Sequence, residues 1–233
     1  MKKKIVFLTG AGISAESGLK TFRDSDGLWE NHDIMEVASI KGWRKNRQLV
    51  LDFYNERRKQ LDTVEPNESH KLIASLQDKY DVHIITQNVD DLHERGGSTN
   101  IIHLHGELTK MCSSLDTSKT LPYTHDIKLK DFHSDGSQLR PFIVWFGEDV
   151  PKLGDAVDVI KDCDYFVIIG TSLNVYPASG LMEYCPSKCK LFYIDPKPNM
   201  DDHETENFTI IPKVATEGMK EFIDTLSLES NEL

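Results

Sequence analysis

Residues 3–18 read Lys-Lys-Ile-Val-Phe-Leu-Thr-Gly-Ala-Gly-Ile-Ser-Ala-Glu-Ser-Gly, an apolar run that ends in a glycine-rich turn. Within it, Gly10, Gly12 and Ala15 match the G-x-G-x-x-G/A fingerprint of dinucleotide-binding strand-to-helix turns. The first glycine permits the tight turn, and the second lets the backbone approach a pyrophosphate that the helix N-terminus attracts. A glycine-rich turn without a ligand would read the same, so this alternative stays open.

The segment after the fingerprint departs from the dehydrogenase pattern. A dehydrogenase has a second strand there, with an acidic residue about 20 residues past the glycines. Residues 19–29 instead read Leu-Lys-Thr-Phe-Arg-Asp-Ser-Asp-Gly-Leu-Trp. Such a polar sequence predicts a loop over the nucleotide. The nucleotide site therefore belongs to another class of protein.

Composition and net charge limit the kinds of protein and partner that this sequence can represent. The 233 residues are 39% hydrophobic and 28% charged, which is typical of one soluble domain or one domain with a smaller inserted lobe. No apolar run approaches the roughly 18 residues of a membrane span, and the start lacks signal-peptide character, so we expect a cytoplasmic protein without membrane contact. The net charge of −11 argues against nucleic acid and favours basic, lysine-rich protein segments as partners.

Short apolar runs bounded by turns predict strands buried on both faces of a parallel sheet. Besides the first, they are residues 81–86, 100–104, 141–146, 164–169 and 190–194. Helical spacing of apolar residues predicts helices within 29–80 and over 150–161, 178–184 and 216–226. The expected fold is α/β: a Rossmann-like parallel sheet with helices on both faces, plus a small helical or irregular second lobe.

The two lobes are discontinuous in the sequence. We assign residues 1–28, 81–109 and 141–233 to the Rossmann-like domain. The small lobe then consists of the helical insertion 29–80 and the polar, turn-rich stretch 110–140, where we expect little regular structure.

Polar residues follow the predicted strands at the edge where open α/β sheets bind ligands. After 81–86 come Gln87, Asn88 and Asp90, whose amide and carboxylate groups could pair with a carboxamide such as that of nicotinamide. Capping of a helix by Asn88 or Asp90 is the alternative. His105 leaves the next strand beside a glycine and is a candidate general base, because its ordinary pKa lies near the working pH. A purely structural histidine is the alternative. We expect His103 to be structural.

Two further strand ends complete the predicted nucleotide site. Residues 170–174 read Gly-Thr-Ser-Leu-Asn and offer hydroxyls and backbone N–H groups to phosphate or ribose. Asp195 follows the strand 190–194 and could face ribose or adenine. Polar residues that converge at several strand ends make a bound dinucleotide the better interpretation.

With these motifs together, the chain resembles the sirtuins, NAD-dependent protein-lysine deacylases. The resemblance covers nearly the whole length, and its six motifs stand in the family's order and spacing. They are Gly10–Gly18, Phe22-Arg23, Thr86–Asp90, Leu104–Glu107, Val144–Glu148 and Gly170–Ser172.

The resemblance implies a role for each matching residue. His105 would act as the base on a ribose hydroxyl, and Asn88 would help to fix the reactive geometry. Phe22 and Arg23 would close over NAD, which is consumed as a co-substrate. The implied NAD-binding residues are Gly10, Ala11, Gly12, Ala15, Phe22, Arg23, Gln87, Asn88, Asp90, His105, Gly170, Thr171, Ser172, Asn174, Asp195 and Ala215. The implied substrate strand, with Phe146 against the lysine stem, is Val144, Trp145, Phe146, Gly147 and Glu148.

The implied substrates are acyl-lysine proteins, with release of nicotinamide and acyl-ADP-ribose. Two alternatives remain: an ADP-ribosyltransferase that uses the same NAD activation, and a non-catalytic module that binds NAD or ADP-ribose. The presence of Asn88, Asp90 and His105 argues against the module, since a binder needs no base beside the ribose. We expect a monomer.

Tyr54 and Arg57 bear on acyl specificity. At a spacing of i, i+3 they share one face of a predicted helix. They resemble the Tyr-x-x-Arg of sirtuins that remove succinyl and malonyl groups, in which the phenol and guanidinium bind the distal carboxylate. The alternative is a solvated arginine-rich face with Tyr54 packed inward.

The cysteines depart from the family pattern. Most sirtuins carry a zinc site of two C-x-x-C pairs in the small lobe. Here Cys112 stands alone in that lobe, and Cys163, Cys185 and Cys189 lie further on without C-x-x-C spacing. We therefore expect reduced, structural thiols, no metal ligands and no structural zinc.

Overall fold

The main sheet contains six parallel strands, with the glycine-bearing strand near its centre. The computed structural model describes residues 2–20, 28–29, 32–123, 125–199 and 207–231. The sheet consists of β1 (Lys4–Thr9), β4 (Asp81–Thr86), β5 (Ile101–His103), β9 (Tyr165–Ile169), β10 (Lys190–Ile194) and β11 (Phe208–Ile211). Their order is β11-β10-β9-β1-β4-β5. After β1, the chain adds β4 and β5 on one side of it and then β9, β10 and β11 on the other, so the order of strands reverses between β1 and β9. A crevice at such a reversal is where doubly wound sheets bind ligands.

Helices cover both faces of this sheet because its strands are apolar on both sides. Ile5 and Phe7 of β1 face a core shared with α5 (Glu68–Ser75) and α8 (Ala215–Asn231). Val6 and Leu8 face the other core, which includes α7 (Leu153–Ile160) and a 3-10 helix over Ala178–Tyr184. The predicted α/β class is therefore confirmed. The remaining short helices of this part are α1 (Gly12–Ala15), a 3-10 turn (Leu76–Asp78) and α6 (Leu92–Arg95).

A second, smaller core lies beside the main sheet. Its helices are α2 (Ile34–Val37), α3 (Ile40–Lys45) and α4 (Arg47–Leu61). Its strands are the antiparallel pair β2 (Leu28–Trp29) and β3 (His32–Asp33), and a three-stranded antiparallel sheet of β6 (Gly106–Ser113), β7 (Thr120–Pro122) and β8 (Leu139–Ile143). Trp43, Tyr54 and Trp145 are at the centre of this core.

Two sequence-based expectations about strands are wrong. The apolar run 141–146 does not join the parallel sheet, because Leu139–Ile143 pairs antiparallel with β6. A short apolar run carries no information about its partner strand, and this one packs against the helices of the small core. The stretch 110–140 is also more regular than expected, since β6, β7 and β8 form a ladder there. Among the described helices, none combines the length and apolar character needed to cross a bilayer.

A pair of buried histidines lies below the carboxyl edge of β1. The rings of His70 in α5 and His93 in α6 are 4.9 Å apart, edge to face. His93 Nε2 is 3.0 Å from Thr9 Oγ1 at the end of β1. Burial lowers the pKa of His70 to about 4 and that of His93 well below its ordinary value. Both rings are therefore neutral at neutral pH.

These histidines should make the fold sensitive to acid. The unfolded chain binds a proton at His70 below about pH 6.5, whereas the folded chain does so only near pH 4. The contribution of His70 to the unfolding free energy is thus complete above pH 6.5 and is lost progressively as the pH falls to 4. His70→Leu should reduce this acid-dependent loss by up to about 3 kcal/mol, measured by urea unfolding across that range.

The matched control is His125→Leu, because the His125 side chain is 54% exposed. It should leave the acid dependence as in the unsubstituted protein. An unchanged acid dependence in His70→Leu would contradict the assignment of this loss to the buried pair.

Candidate active site

Two glycine-containing turns meet at the carboxyl edge of the sheet. The Gly10 N–H donates to the carbonyl of Ile169 at 3.0 Å, and the Gly12 N–H donates to that of Gly170 at 2.8 Å. A Cβ on Gly10 would be 2.7 Å from the Thr171 Cβ, and one on Gly12 would be 2.6 Å from the Gly170 Cα. Gly170 also has a φ of +62°, which disfavours a side chain. The backbones of the two turns therefore pack directly against each other. Ala11 lies in the first of these turns, and Ala15 lies in the helix α1 that follows it.

A buried polar cluster lies beside the glycine turn. Ser14 Oγ donates to the Asp90 carboxylate at 3.0 Å and accepts from Asn88 Nδ2 at 3.2 Å. The Leu92 N–H donates to the other oxygen of Asp90 at 3.1 Å. Burial raises the pKa of Asp90, while the hydrogen bonds from Leu92 and Ser14 oppose that rise. The cluster presents an acid group and an amide at fixed positions, as a carboxamide ligand requires.

The two neighbouring histidines differ in protonation. His105 Nδ1 is 3.0 Å from the carbonyl of Gln87, which only accepts, so the proton is on Nδ1 and the lone pair is on Nε2. Burial lowers the pKa of His105, more than the Gln87 bond raises it. In His103, burial also lowers the pKa, but the bond to Glu94 and the charges of Glu94 and Glu107 outweigh it and raise the pKa overall.

His105 is therefore the neutral base candidate and His103 the charged, structural one. His103 Nε2 is 2.7 Å from the Glu94 carboxylate, and its Nδ1 is 3.3 Å from the carbonyl of Asn88. These contacts fix the backbone that carries Asn88.

The segment after β9 is anchored to its neighbours. Gln87 Nε2 donates to Thr171 Oγ1 at 3.1 Å, and the Tyr193 hydroxyl donates to the Thr171 carbonyl at 2.9 Å. Asn199 Nδ2 bonds to Asn174 Oδ1 at 3.0 Å and to the carbonyl of Ser172 at 3.3 Å. The predicted polar residues 171–174 therefore adjoin Gln87 and the glycine turn.

The far side of the crevice is formed by β10 and α8. Asp195 is buried and accepts from the Lys197 N–H at 2.8 Å. Ala215 is buried at the start of α8. Glu16, next to Ala15, accepts from the Thr216 N–H at 3.0 Å and its hydroxyl at 2.7 Å. This contact joins the glycine turn to the start of α8.

The predicted substrate segment adjoins the base. The Val144 N–H donates to the carbonyl of His105 at 2.9 Å. The Phe146 N–H and carbonyl bond to Ala38 and Ile40 at 2.9 and 3.2 Å, and its side chain is 47% exposed. An added substrate strand would have to use other backbone groups of 144–148 than those of Phe146.

An arginine that the sequence did not single out holds this segment. Arg140 is buried, and its guanidinium bonds Glu148 through both carboxylate oxygens at 2.6 and 2.9 Å. It also lies over the Trp145 ring, 3.4 Å from the centroid, and Glu148 accepts from the Trp145 N–H at 2.8 Å. Glu148 therefore links Arg140 to the backbone of Trp145 and holds residues 145–148 in a turn.

Tyr54 and Arg57 lie on α4, as the spacing predicts. Tyr54 is fully buried, and its hydroxyl accepts from Trp145 Nε1 at 3.1 Å. Burial raises the pKa of the Tyr54 phenol. The Arg57 guanidinium lies 5.2 Å from the Phe53 ring centroid, and the side chain is 14% exposed. The adjacent Arg58 has a structural role, since its Nε donates to the Leu108 carbonyl at 2.8 Å.

Comparison with known proteins agrees with this geometry. A profile of the Sir2 family matches residues 10–177. The chain belongs to the Sir2 family. It is 53% identical to the NAD-dependent protein deacylase of Helicobacter pylori strain 26695, over 96% of this chain and 97% of that protein. It is 51% identical to the NAD-dependent protein deacylase of Bacteroides thetaiotaomicron, over 94% of this chain and 96% of that protein. A solved complex of a Sir2 homologue with NAD superposes with a TM-score of 0.83 at 33% identity, covering 98% of this chain and 91% of that one.

The residues of this Sir2 chain fit a nicotinamide dinucleotide. Close glycine backbones suit a pyrophosphate, and the Asn88 and Asp90 groups can pair with a carboxamide. Phe22 and Arg23, expected to close over NAD, lie outside the described residues. Ser14, Arg140 and Asn199 are not among the site residues predicted from the sequence. Only Ser14 had a signal, as a polar residue inside the glycine fingerprint.

Removal of Arg140 should destabilise residues 144–148 of this Sir2 protein. Arg140→Met leaves Glu148 without its ion-pair partner and removes the contact with Trp145. We expect a loss of about 3 kcal/mol in unfolding free energy, measured by urea unfolding. The control is Arg47→Met, because Arg47 also lies over a tryptophan, 5.2 Å from the Trp43 ring, but is exposed. Equal losses in the two variants would contradict the structural role of Arg140.

Proposed function

We propose that this chain is an NAD-dependent protein deacylase that removes acyl groups from lysine and releases nicotinamide and O-acyl-ADP-ribose. The observation that carries the proposal is the arrangement around His105. Its Nδ1–H donates to Gln87, whose side chain in turn contacts Thr171 beside the glycine turn. The lone pair of Nε2 is thus available at the edge where the fold binds dinucleotides. The names of the two bacterial relatives support the same activity.

NAD supplies a ribose carbon that carries a good leaving group, nicotinamide. The protein's contribution is orientation, which is worth up to about 7–11 kcal/mol when two reactants are held in reactive geometry. Asn88, Asp90 and Ser14 would fix the carboxamide and ribose, because they already bond one another in one buried cluster. Val144–Glu148 would hold the acyl-lysine near His105, to which Val144 bonds directly.

His105 would take a proton from a ribose hydroxyl. A base must be unprotonated to act, and burial lowers the pKa of His105 below its ordinary value of 6.5. We therefore place the acid limb of the reaction below pH 6.5, with activity falling as the pH drops through the lowered pKa.

The test of this function is product analysis with an acyl-lysine peptide and NAD. We expect nicotinamide, free lysine and O-acyl-ADP-ribose in equal amounts, and a loss on the order of 100-fold or more in kcat for His105→Ala. His125→Ala is the matched control. An acid limb at or above pH 6.5, or full activity in His105→Ala, would contradict the role of His105.

Product identity also separates the alternatives. An ADP-ribosyltransferase would modify an acceptor and leave the acyl group on lysine, and a binding module would release no nicotinamide. The names of the relatives favour deacylation over both. The cytoplasmic location and the monomeric state stay predictions.

For acyl specificity, we propose that Tyr54 and Arg57 bind the distal carboxylate of succinyl or malonyl lysine. The support is their place on α4, next to the substrate segment through the Tyr54 contact with Trp145. The raised pKa keeps the Tyr54 phenol protonated, so that it can donate to a carboxylate. The Arg57 side chain is largely buried, where a charge pair with a carboxylate is stronger than in water.

Substitution of Arg57 tests this specificity. Arg57→Met should lower kcat/KM for a succinyl-lysine peptide by about 10- to 100-fold, the loss of one charge-assisted contact, and spare an acetyl-lysine peptide. Arg44→Met is the control, because Arg44 is exposed on α3. Equal losses on both peptides would count against a carboxylate pocket, even with deacylase activity intact.

A further inference from the structure

Three cysteines converge at the amino end of the main sheet, away from the candidate active site. The Sγ atoms of Cys163, Cys185 and Cys189 all lie within 4.8 Å of one another, and those of Cys163 and Cys189 are 3.3 Å apart. All three thiols are free. Cys163 precedes β9, whose other end leads into Gly170. At about 3.3 Å per residue, the cluster is roughly 20 Å from the glycine turns.

The sulfur spacing is that of ligands around one metal ion. Sulfurs at 2.3 Å from a tetrahedral zinc are about 3.8 Å from each other. The sulfurs of Cys163 and Cys189 are 3.3 Å apart, and no two of the three are more than 4.8 Å apart. A disulfide needs sulfurs about 2.05 Å apart. The cluster therefore has the dimensions of a metal–thiolate site without any rearrangement of its backbone.

Local structure fixes the three ligands independently. The Cys163 N–H donates to Ile160 and ends α7, and the Cys185 N–H donates to Met182 and ends the 3-10 helix. The Cys189 N–H donates to Pro186 in a turn just before β10. The pair Cys185 and Cys189 has the spacing C-x3-C, which lies within the usual range for zinc ligands. The sequence places Cys185 and Cys189 close together, but the expectation of structural thiols is based on the absence of C-x-x-C pairs and does not include Cys163 as a partner.

We propose that Cys163, Cys185 and Cys189 form a metal site for one Zn²⁺ ion. Soft thiolate ligands select such an ion over Mg²⁺ or Ca²⁺. Cys163 and Cys189 are buried and Cys185 is half-buried, so an ion can enter past Cys185 and water can complete its coordination. The ion would join the ends of α7 and the 3-10 helix to the starts of β9 and β10. This proposal departs from the expectation of no zinc, which is based on the missing C-x-x-C pairs of the small lobe.

Cobalt substitution of the full chain tests this proposal. The reduced protein is stripped with a chelator and titrated with Co²⁺ without oxygen. We expect one Co²⁺ per chain, with the near-ultraviolet band of thiolate-to-cobalt charge transfer, and its displacement by equimolar Zn²⁺. Cys185→Ser, the least buried of the three, should weaken Zn²⁺ binding on the order of 10- to 100-fold.

Two controls make the outcome decisive. Cys112→Ser changes a buried cysteine of the small sheet and should leave metal binding unchanged. Nicotinamide release by both variants should stay near that of the unsubstituted protein, which separates this proposal from the proposed function. Absence of the charge-transfer band, its equal loss in Cys112→Ser, or a Cys163–Cys189 disulfide formed equally fast with and without Zn²⁺ would overturn the proposal.

Discussion

The turns after β1 and β9 pack directly against each other, and the positions of the neighbouring polar residues follow from this contact. These strands are neighbours in the sheet, and their turns touch through the backbones of Gly10, Gly12 and Gly170. Side chains at these positions would push the two strand ends apart. The glycines are therefore needed for folding as well as for close approach to a pyrophosphate. The packing of the two turns and the approach of a pyrophosphate both require glycine at positions 10 and 12. This shared requirement explains why residues 3–18 indicate the fold so clearly.

Hydrogen bonds carry this constraint from the glycine turns to the reactive groups. Thr9 at the end of β1 donates to Thr86, which accepts from the Asn88 N–H. Gln87 contacts Thr171 through its side chain and His105 through its carbonyl. His105 and Asn88 are thus oriented by groups at strand ends or directly after them, which the sheet positions more precisely than a long loop would. The tautomer of His105 follows from the same network.

The parallel sheet and the strand-end residues were predictable because both leave local signals, apolar runs and polar residues directly after them. Strand pairing was not, because the run 141–146 reads like the others although it begins within β8 of the small sheet. Ser14 could have been found inside the fingerprint. The C-x3-C spacing of Cys185 and Cys189 was also visible, but the addition of Cys163 was not, since it is 22 residues away and meets them only through tertiary packing. The role of Arg140 left no signal either, because its pairing with Glu148 depends on how residues 140–148 fold back.

The small lobe has an apolar core, and this core underlies the segment that we propose binds substrate. Trp145 packs against Tyr54, Trp43 and Arg140, so the residue that follows Val144 in the substrate segment is also central to the lobe. Burial raises the pKa of Cys112, the lobe's one cysteine, to about 12, which keeps it a neutral packing group. Tyr54, which we propose contacts the acyl carboxylate, is itself part of the core, so substitutions at this position must preserve the packing around Trp145.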